Sequence, residues 1–319
     1  MAIGIYATLG PGCSKPEILE DMLRSGLTGV RWNSAFVPIE EAEDFLAPLR
    51  AAERAAGRPT ELLLELQGRT LRVGSIPDSR LRPREEIFLG PGGMPVPEEI
   101  FPLLRVEDTI LLNDGRITLR VTKTEAHRAE SRVVRGAELK EYQNLILSGA
   151  MPTLPPFTES DRRALSRLDE LGVNAVMLPF THSREDAEAV RGLLLPSVRL
   201  LARIEDQSGL NALEEIIPAC DGIVICRGTL GATLGLWELP RVQEEIASLC
   251  RERTCPFLVE GQLLATPVSR SAPTCGEIMD GFYTARSGTA GLLLTGETAE
   301  GEMAAAAVKI MGRIVRSVV

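Results

Sequence analysis

Eight short apolar runs, each leading into a helical pattern, constrain this chain more than any other feature. They lie at residues 3–9, 28–33, 61–66, 175–180, 198–205, 222–227, 256–261 and 291–295. A strand covered on both faces reads as a near-continuous apolar run, and parallel neighbours need a helical crossover between them. The intervening segments at 15–25, 39–56, 159–171 and 303–319 carry such helical patterns. The alternation predicts an α/β fold, a closed (β/α)8 TIM barrel, with a doubly wound open sheet as the competing arrangement. No Gly-x-Gly-x-x-Gly follows the first run, which counts against a dinucleotide-binding sheet.

The rhythm breaks between about Gly74 and Gly149. The later part of this gap alternates as strands do, and Asn113-Asp114-Gly115 stands between the runs 109–112 and 117–121 as a hairpin signal. The expected organisation is a barrel from 1–74 and 150–319, with a small β-rich domain, 75–149, inserted after the third strand. An insert there sits at the rim where barrel active sites lie, so it reads as a shortened lid, or otherwise as an appendage for interactions. Asp114 reads as a turn residue.

Aromatic residues make up only 4% of the chain, so a core must come from Leu, Val, Ile and Ala. The net charge of −9, without a basic block, argues against nucleic-acid binding. No apolar run has the length of a membrane span, and the start of the chain has no signal-peptide pattern. Six scattered cysteines without a Cys-x-x-Cys pair read as reduced thiols in a cytoplasmic protein. With only two histidines as well, neither zinc nor a nicotinamide or flavin cofactor is expected.

The segment Ile223-Val-Ile-Cys-Arg-Gly-Thr-Leu-Gly231 points to chemistry. An apolar strand delivers Arg227 and then a Gly-containing turn, whose backbone N–H groups suit an anion. If the runs end at one rim, Arg31, Arg72, Arg203 and Arg227 share a mouth with Asn33, Glu65, His182, Glu205, Glu260 and Gln262. Arginines in a water-poor cavity bind carboxylates or phosphates through paired hydrogen bonds. Arg31–Glu65 and Arg203–Glu260 also read as structural ion pairs. Glu260 and His182 are each an acid/base candidate, the latter beside its reading as a satisfied loop histidine. Trp32 and Phe36 read as packing residues.

The order of motifs resembles the pyruvate kinase family across essentially the whole chain. Thr8-Leu-Gly-Pro-Gly, Val30-Arg-Trp-Asn33, Leu64-Glu-Leu-Gln-Gly-Arg-Thr-Leu-Arg72, Asn113-Asp-Gly115, Ala202-Arg-Ile-Glu205, Arg227-Gly-Thr-Leu-Gly231 and Thr295-Gly-Glu-Thr-Ala299 each resemble a family motif in sequence order. The resemblance implies a phosphoryl-contacting lysine where Arg203 stands. It implies a divalent-metal carboxylate at Glu205 and a second where Thr229 stands. Its threonine of the seventh strand is Gly261, and its potassium-site residues are kept at Asn33 but not at Ala35, Phe36 or Leu66. The family's C-terminal regulatory domain has no counterpart in these residues.

Phosphoryl transfer relies on positioning and charge stabilisation, so these departures bear on the reaction. Arg203 keeps the charge but is a planar fork that does not deprotonate. The expected function is binding of a small 2-oxo acid or phosphoenolpyruvate-like anion for enolate-type aldol, lyase or decarboxylation chemistry, without ATP-dependent transfer. The alternatives are a catalytically inactive anion-binding or regulatory homologue and an unorthodox pyruvate kinase. Catalysis is expected from Glu205, Arg203 and Glu260. Substrate binding is expected from Arg31, Asn33, Arg72, Arg203, Arg227, Gly228 and Thr229. Mg²⁺ or Mn²⁺ is expected to be weakly held by Glu205. Barrel-to-barrel contacts leave room for a homo-oligomer.

Overall fold

Residues 3–148, 152–264 and 272–318 are described by a computed structural model. Eight parallel strands close into a barrel: β1 (Gly4–Thr8), β2 (Gly29–Asn33), β3 (Glu61–Glu65), β4 (Ala175–Leu178), β5 (Arg199–Ile204), β6 (Gly222–Cys226), β7 (Phe257–Glu260) and β8 (Gly291–Leu294). Each pairs with its neighbours in chain order, and β1 meets β8 in the register Gly4–Gly291 to Ala7–Leu294. The chain thus forms the expected (β/α)8 barrel rather than an open sheet. Each expected run contains one of these strands.

Alternation along the strands sorts the side chains into layers. An inward apolar layer holds Tyr6, Leu63, Ala175, Met177, Leu201, Val224, Cys226, Leu258 and Leu293. Tyr6 fills the floor because glycines make room for its ring. A Cβ at Gly29 would stand 2.9 Å from the ring, and one at Gly291 would stand 2.6 Å from it. Two residues further along their strands, Leu63 gives way to Glu65, Leu201 to Arg203 and Leu258 to Glu260. Charge is thereby set one layer above the apolar plug, toward the carboxyl ends of the strands.

The closing seam is hydrogen-bonded through the Thr295-Gly-Glu-Thr motif. Thr8 N donates to Thr298 Oγ1, and Thr8 Oγ1 donates to Leu294 O. Glu297 accepts from the backbone N–H of Leu263, Leu264 and Thr295. This motif is structural: it ties the turn after β8 to the turn after β7 and to β1.

The chain separates into two compact units, Met1–Gly68 with Pro156–Gly228 and Glu238–Val319, and Arg69–Pro155 with Thr229–Trp237. The second unit begins before the expected bound at residue 75 and takes in a segment from beyond it; Gly149 lies outside the described residues. It holds a five-stranded antiparallel sheet in the order Leu145–Leu147, Thr109–Leu112, Ile117–Glu125, Arg128–Arg135 and Glu86–Leu89. Its own core includes Leu89, Ile100, Ile110, Leu112, Ile117, Leu119 and Val121. The turn at Asn113, Asp114 and Gly115 has positive φ at all three residues, which suits those residue types. Asn144 fixes it: Asp114 N donates to Asn144 Oδ1 and Asn144 Nδ2 donates to Asp114 Oδ1.

Candidate active site

Five charged side chains meet inside the barrel, in the layer above the apolar plug. Arg31 Nη1 donates to Glu65 Oε2 at 2.9 Å and to Glu260 Oε2 at 3.1 Å. Arg203 Nη1 donates to Glu65 Oε2 at 2.6 Å and to Glu260 Oε2 at 3.2 Å. Its Nη2 donates to Glu260 Oε1 at 2.7 Å, and its Nε to Glu205 Oε1 at 2.9 Å. All five residues are buried. The two expected ion pairs are present, joined by the crossed pairs Arg31–Glu260 and Arg203–Glu65.

Two guanidinium charges against three carboxylates leave a formal −1 when every group is ionised. Glu260 answers this imbalance. Burial pushes its carboxyl above the ordinary range, and Glu65 and Glu205 add to the rise while Arg203 and Arg31 oppose it. The carboxyl of Glu260 thus takes up a proton more readily than an ordinary glutamate.

The Arg31 guanidinium is not fully used. Its Nε is buried without a hydrogen-bond partner. A buried guanidinium N–H left without an acceptor is costly. Asn33 turns inward on the protein: Nδ2 donates to Glu65 Oε1, and Oδ1 accepts from Ala35 N. Trp32 is fully buried and donates to Val37 O, while Phe36 is exposed.

Arg227 takes a different course from the one expected. It is the first residue of a helix, Arg227–Leu234, where the sequence suggested a turn. Its guanidinium forks onto Asp280 of the helix Cys275–Arg286, with Nη1 to Oδ1 at 3.1 Å and Nη2 to Oδ2 at 2.9 Å. Gly228 lies in the first helical turn, whose N–H groups lack intrahelical acceptors. Gly261 has φ +92°, and a Cβ there would stand 3.3 Å from Gly228 N. The glycine at 261 thus keeps space clear beside that N–H.

Thr229 and Arg72 belong to the second unit. Thr229 is buried, and its carbonyl accepts from Thr233 Oγ1. Arg72 Nη1 donates to Tyr142 O, and its backbone forms a bridge with Asn144.

Glu205 Oε1 accepts from both Arg203 Nε and Phe180 N. A divalent ion at Glu205 would face the Arg203 guanidinium directly, and Thr229 offers only a neutral hydroxyl in place of a second carboxylate. Among the described residues no three His, Cys, Asp or Glu side chains are grouped to hold a metal. Mg²⁺ is commonly held by one or two carboxylates together with substrate oxygens, so an ion at Glu205 would need further oxygen ligands from a bound anion.

A second polar pair joins His182, an acid/base candidate in the sequence, to Asp206, which the sequence reading did not single out. His182 Nε2 lies 2.9 Å from Asp206 Oδ2, on the loops that follow β4 and β5. Only its position gave a signal, since Asp206 directly follows Glu205. Asp280 gave none; it lies on a helix with no spacing relation to Arg227.

Comparison with known proteins places this barrel. Residues 95–308, more than half of the chain, match the family model described as pyruvate kinase, barrel domain. A protein of Aeropyrum pernix named pyruvate kinase is 34% identical over 98% of this chain and 70% of its own length. One of Methylorubrum extorquens with the same name is 30% identical over 98% of this chain and 68% of its own. One of Chlamydia muridarum, also so named, is 29% identical over the same shares.

Proposed function

The chain belongs to the pyruvate kinase family, and on that premise we propose that it binds a small 2-oxo acid or phosphoenolpyruvate-like anion in the barrel without transferring a phosphoryl group to ADP. The observation that carries the reading is the partnerless Nε of buried Arg31. A carboxylate or phosphate oxygen would complete that guanidinium. The first-turn N–H of Gly228, beside which Gly261 leaves space, offers a second donor.

The case against phosphoryl transfer rests on Arg203. Three carboxylates already engage this guanidinium. It is thus a fixed counter-ion rather than a cation that can follow a moving phosphoryl group. It keeps its proton, so it cannot carry one to an enolate either. What these side chains can do is hold the anion, neutralise it and stabilise negative charge developing on an enolate oxygen. Glu260, with its raised proton affinity, is the member of the network suited to compensate the incoming charge.

A non-catalytic anion-binding role is the second reading. It draws support from the closure of the network, in which Glu65, Glu205 and Glu260 are each bonded to a guanidinium.

The test is to incubate the protein with phosphoenolpyruvate and ADP, with Mg²⁺ and K⁺, and to follow pyruvate formation. A parallel titration follows phosphoenolpyruvate binding by ligand-observed NMR, with and without Mg²⁺. Binding without pyruvate formation is the predicted outcome. Turnover at ordinary enzyme rates overturns the non-kinase reading, and absence of binding overturns the anion site.

A further inference from the structure

Three of the six cysteines, scattered in the sequence, meet at the amino ends of two barrel strands. Cys220 stands two residues before β6, and Cys255 two residues before β7. The strands are neighbours with Ile223 paired to Phe257, and Ile223 N donates to Pro256 O at 3.0 Å. Neighbouring strands lie about 4.8 Å apart, within the Cα span that a disulfide accepts, about 4.4–6.8 Å. Across this seam the side chains of Cys220 and Cys255 share a hydrogen bond.

Cys250 joins them through a turn. The helix Leu239–Glu252 ends with Cys255 N donating to Cys250 O at 2.8 Å and Thr254 N donating to Arg251 O at 3.1 Å. Thr254 has φ +55°. These are the paired bonds of a Schellman motif, whose two outer residues commonly meet through their side chains. The side chains of Cys250 and Cys255 are in contact here. Both line a cavity of about 540 Å³, together with Phe257, Thr289 and the exposed Arg251 and Arg286. Cys250 is fully buried, Cys255 is 9% exposed, and Cys220 is partly exposed.

The shared bond distinguishes the two sulfurs of the seam. With burial, it raises the Cys220 thiol above the ordinary range. At Cys255 the bond from Cys220 acts downward, but the contact with Cys250 and burial outweigh it and leave the thiol at about 12. Both sulfurs are thus protonated at neutral pH and the pair rests reduced. Cys255 is the one whose thiolate its neighbour stabilises.

We infer that Cys255 and Cys220 are a hydroperoxide-reactive dithiol, which closes to a reversible disulfide. Cys255 Sγ attacks one peroxide oxygen and the O–O bond breaks. The sulfur gains a hydroxyl as a sulfenic acid, and the other oxygen leaves as water with the thiol proton. Cys220 Sγ then displaces that hydroxyl. The S–S bond forms, and the hydroxyl leaves with the Cys220 proton as a second water. The two sulfurs together give up two electrons, and the peroxide takes them. The pair lies at the opposite ends of β6 and β7 from Gly228 and Glu260, so it stands apart from the anion-binding side chains.

Hydrogen peroxide added to the folded protein tests this, in a Cys275→Ser background that removes the exposed thiol. Trypsin cuts at Arg227, Arg251 and Arg253, so Cys220, Cys250 and Cys255 fall in separate peptides. With free thiols blocked, mass spectrometry without reductant is expected to find the Cys220 peptide joined to the Cys255 peptide. Dithiothreitol is expected to release both. Cys220→Ser is expected to lose the cross-link and to accumulate a dimedone-trapped sulfenic acid at Cys255, and Cys255→Ser to lose both products. The map of the background protein decides the question whether or not these variants fold. Absence of a cross-link at peroxide levels that oxidise the exposed Met279 overturns the proposal. So does a cross-link of Cys255 to Cys250 in place of Cys220.

Discussion

Arg203 Nη1 lies 2.6 Å from Glu65 Oε2, joining β5 to β3 across the inside of the barrel. This contact, with those to Glu205 and Glu260, makes Arg203 the hub of a buried network rather than a cation waiting for substrate. Removing one member of such a network leaves uncompensated charge in a region of low dielectric, which costs more than the pair contributes in net stability.

Arg203→Met is accordingly expected to destabilise the fold by about 3–5 kcal/mol, the range for breaking a buried pair. Arg203→Lys is expected to recover only part of this, because a single ammonium cannot reproduce the forked contacts to Glu65, Glu205 and Glu260. Urea denaturation midpoints at neutral pH measure both. A wild-type midpoint for Arg203→Met would show that the network carries no such constraint.

Glu260 sets the sign of a pH effect. Its carboxyl is raised in the fold, so the folded chain binds that proton more tightly than the unfolded chain. The stability linked to it is complete below the ordinary carboxylate value and is lost as pH rises through the raised folded value. Glu260→Gln, which stays neutral, is expected to flatten this decline. Thermal melting of both proteins across pH 4 to 8, about the span over which a raised carboxyl titrates, reads the difference. Parallel profiles would show that another group sets the slope.

On the barrel floor, Gly291→Ala is expected to cost about 1–3 kcal/mol, the scale of overpacking a core. Its Cβ would stand 2.6 Å from the Tyr6 ring and 2.9 Å from Leu258 Cδ2. Urea denaturation measures the loss, and a neutral outcome would mean that the floor relaxes around the methyl group.

Most of the barrel is legible in the sequence because buried parallel strands leave long apolar runs and their inward residues repeat every second position. Arg203 and Glu205 can be placed on one face for that reason, and the structure brings them into contact. The helix Arg227–Leu234 is harder to read, since its Gly and Thr residues have low helix propensity. Arg227 was aimed at the mouth by its place after a strand, yet Asp280, remote in sequence, holds it. Cross-barrel pairs such as Arg203–Glu65 depend on strand register, which no local pattern encodes.

The pair Arg227–Asp280 is partly exposed, so Asp280→Asn is expected to cost only about 0.2–1 kcal/mol. The same denaturation series checks it. A loss of several kcal/mol would assign the pair a larger part in holding the helix Cys275–Arg286 to the barrel.

The account turns on Arg31, and calorimetric titration of oxalate into the wild type and Arg31→Gln tests it most directly. The partnerless Nε predicts that the wild type binds oxalate. The variant, confirmed as folded by its melting transition, should bind more weakly by about 1.5–3 kcal/mol, the scale of a charge-assisted hydrogen bond. That corresponds to roughly a 10- to 150-fold rise in Kd. Equal affinity in the two proteins, or no oxalate binding by the wild type, would contradict an anion site on Arg31.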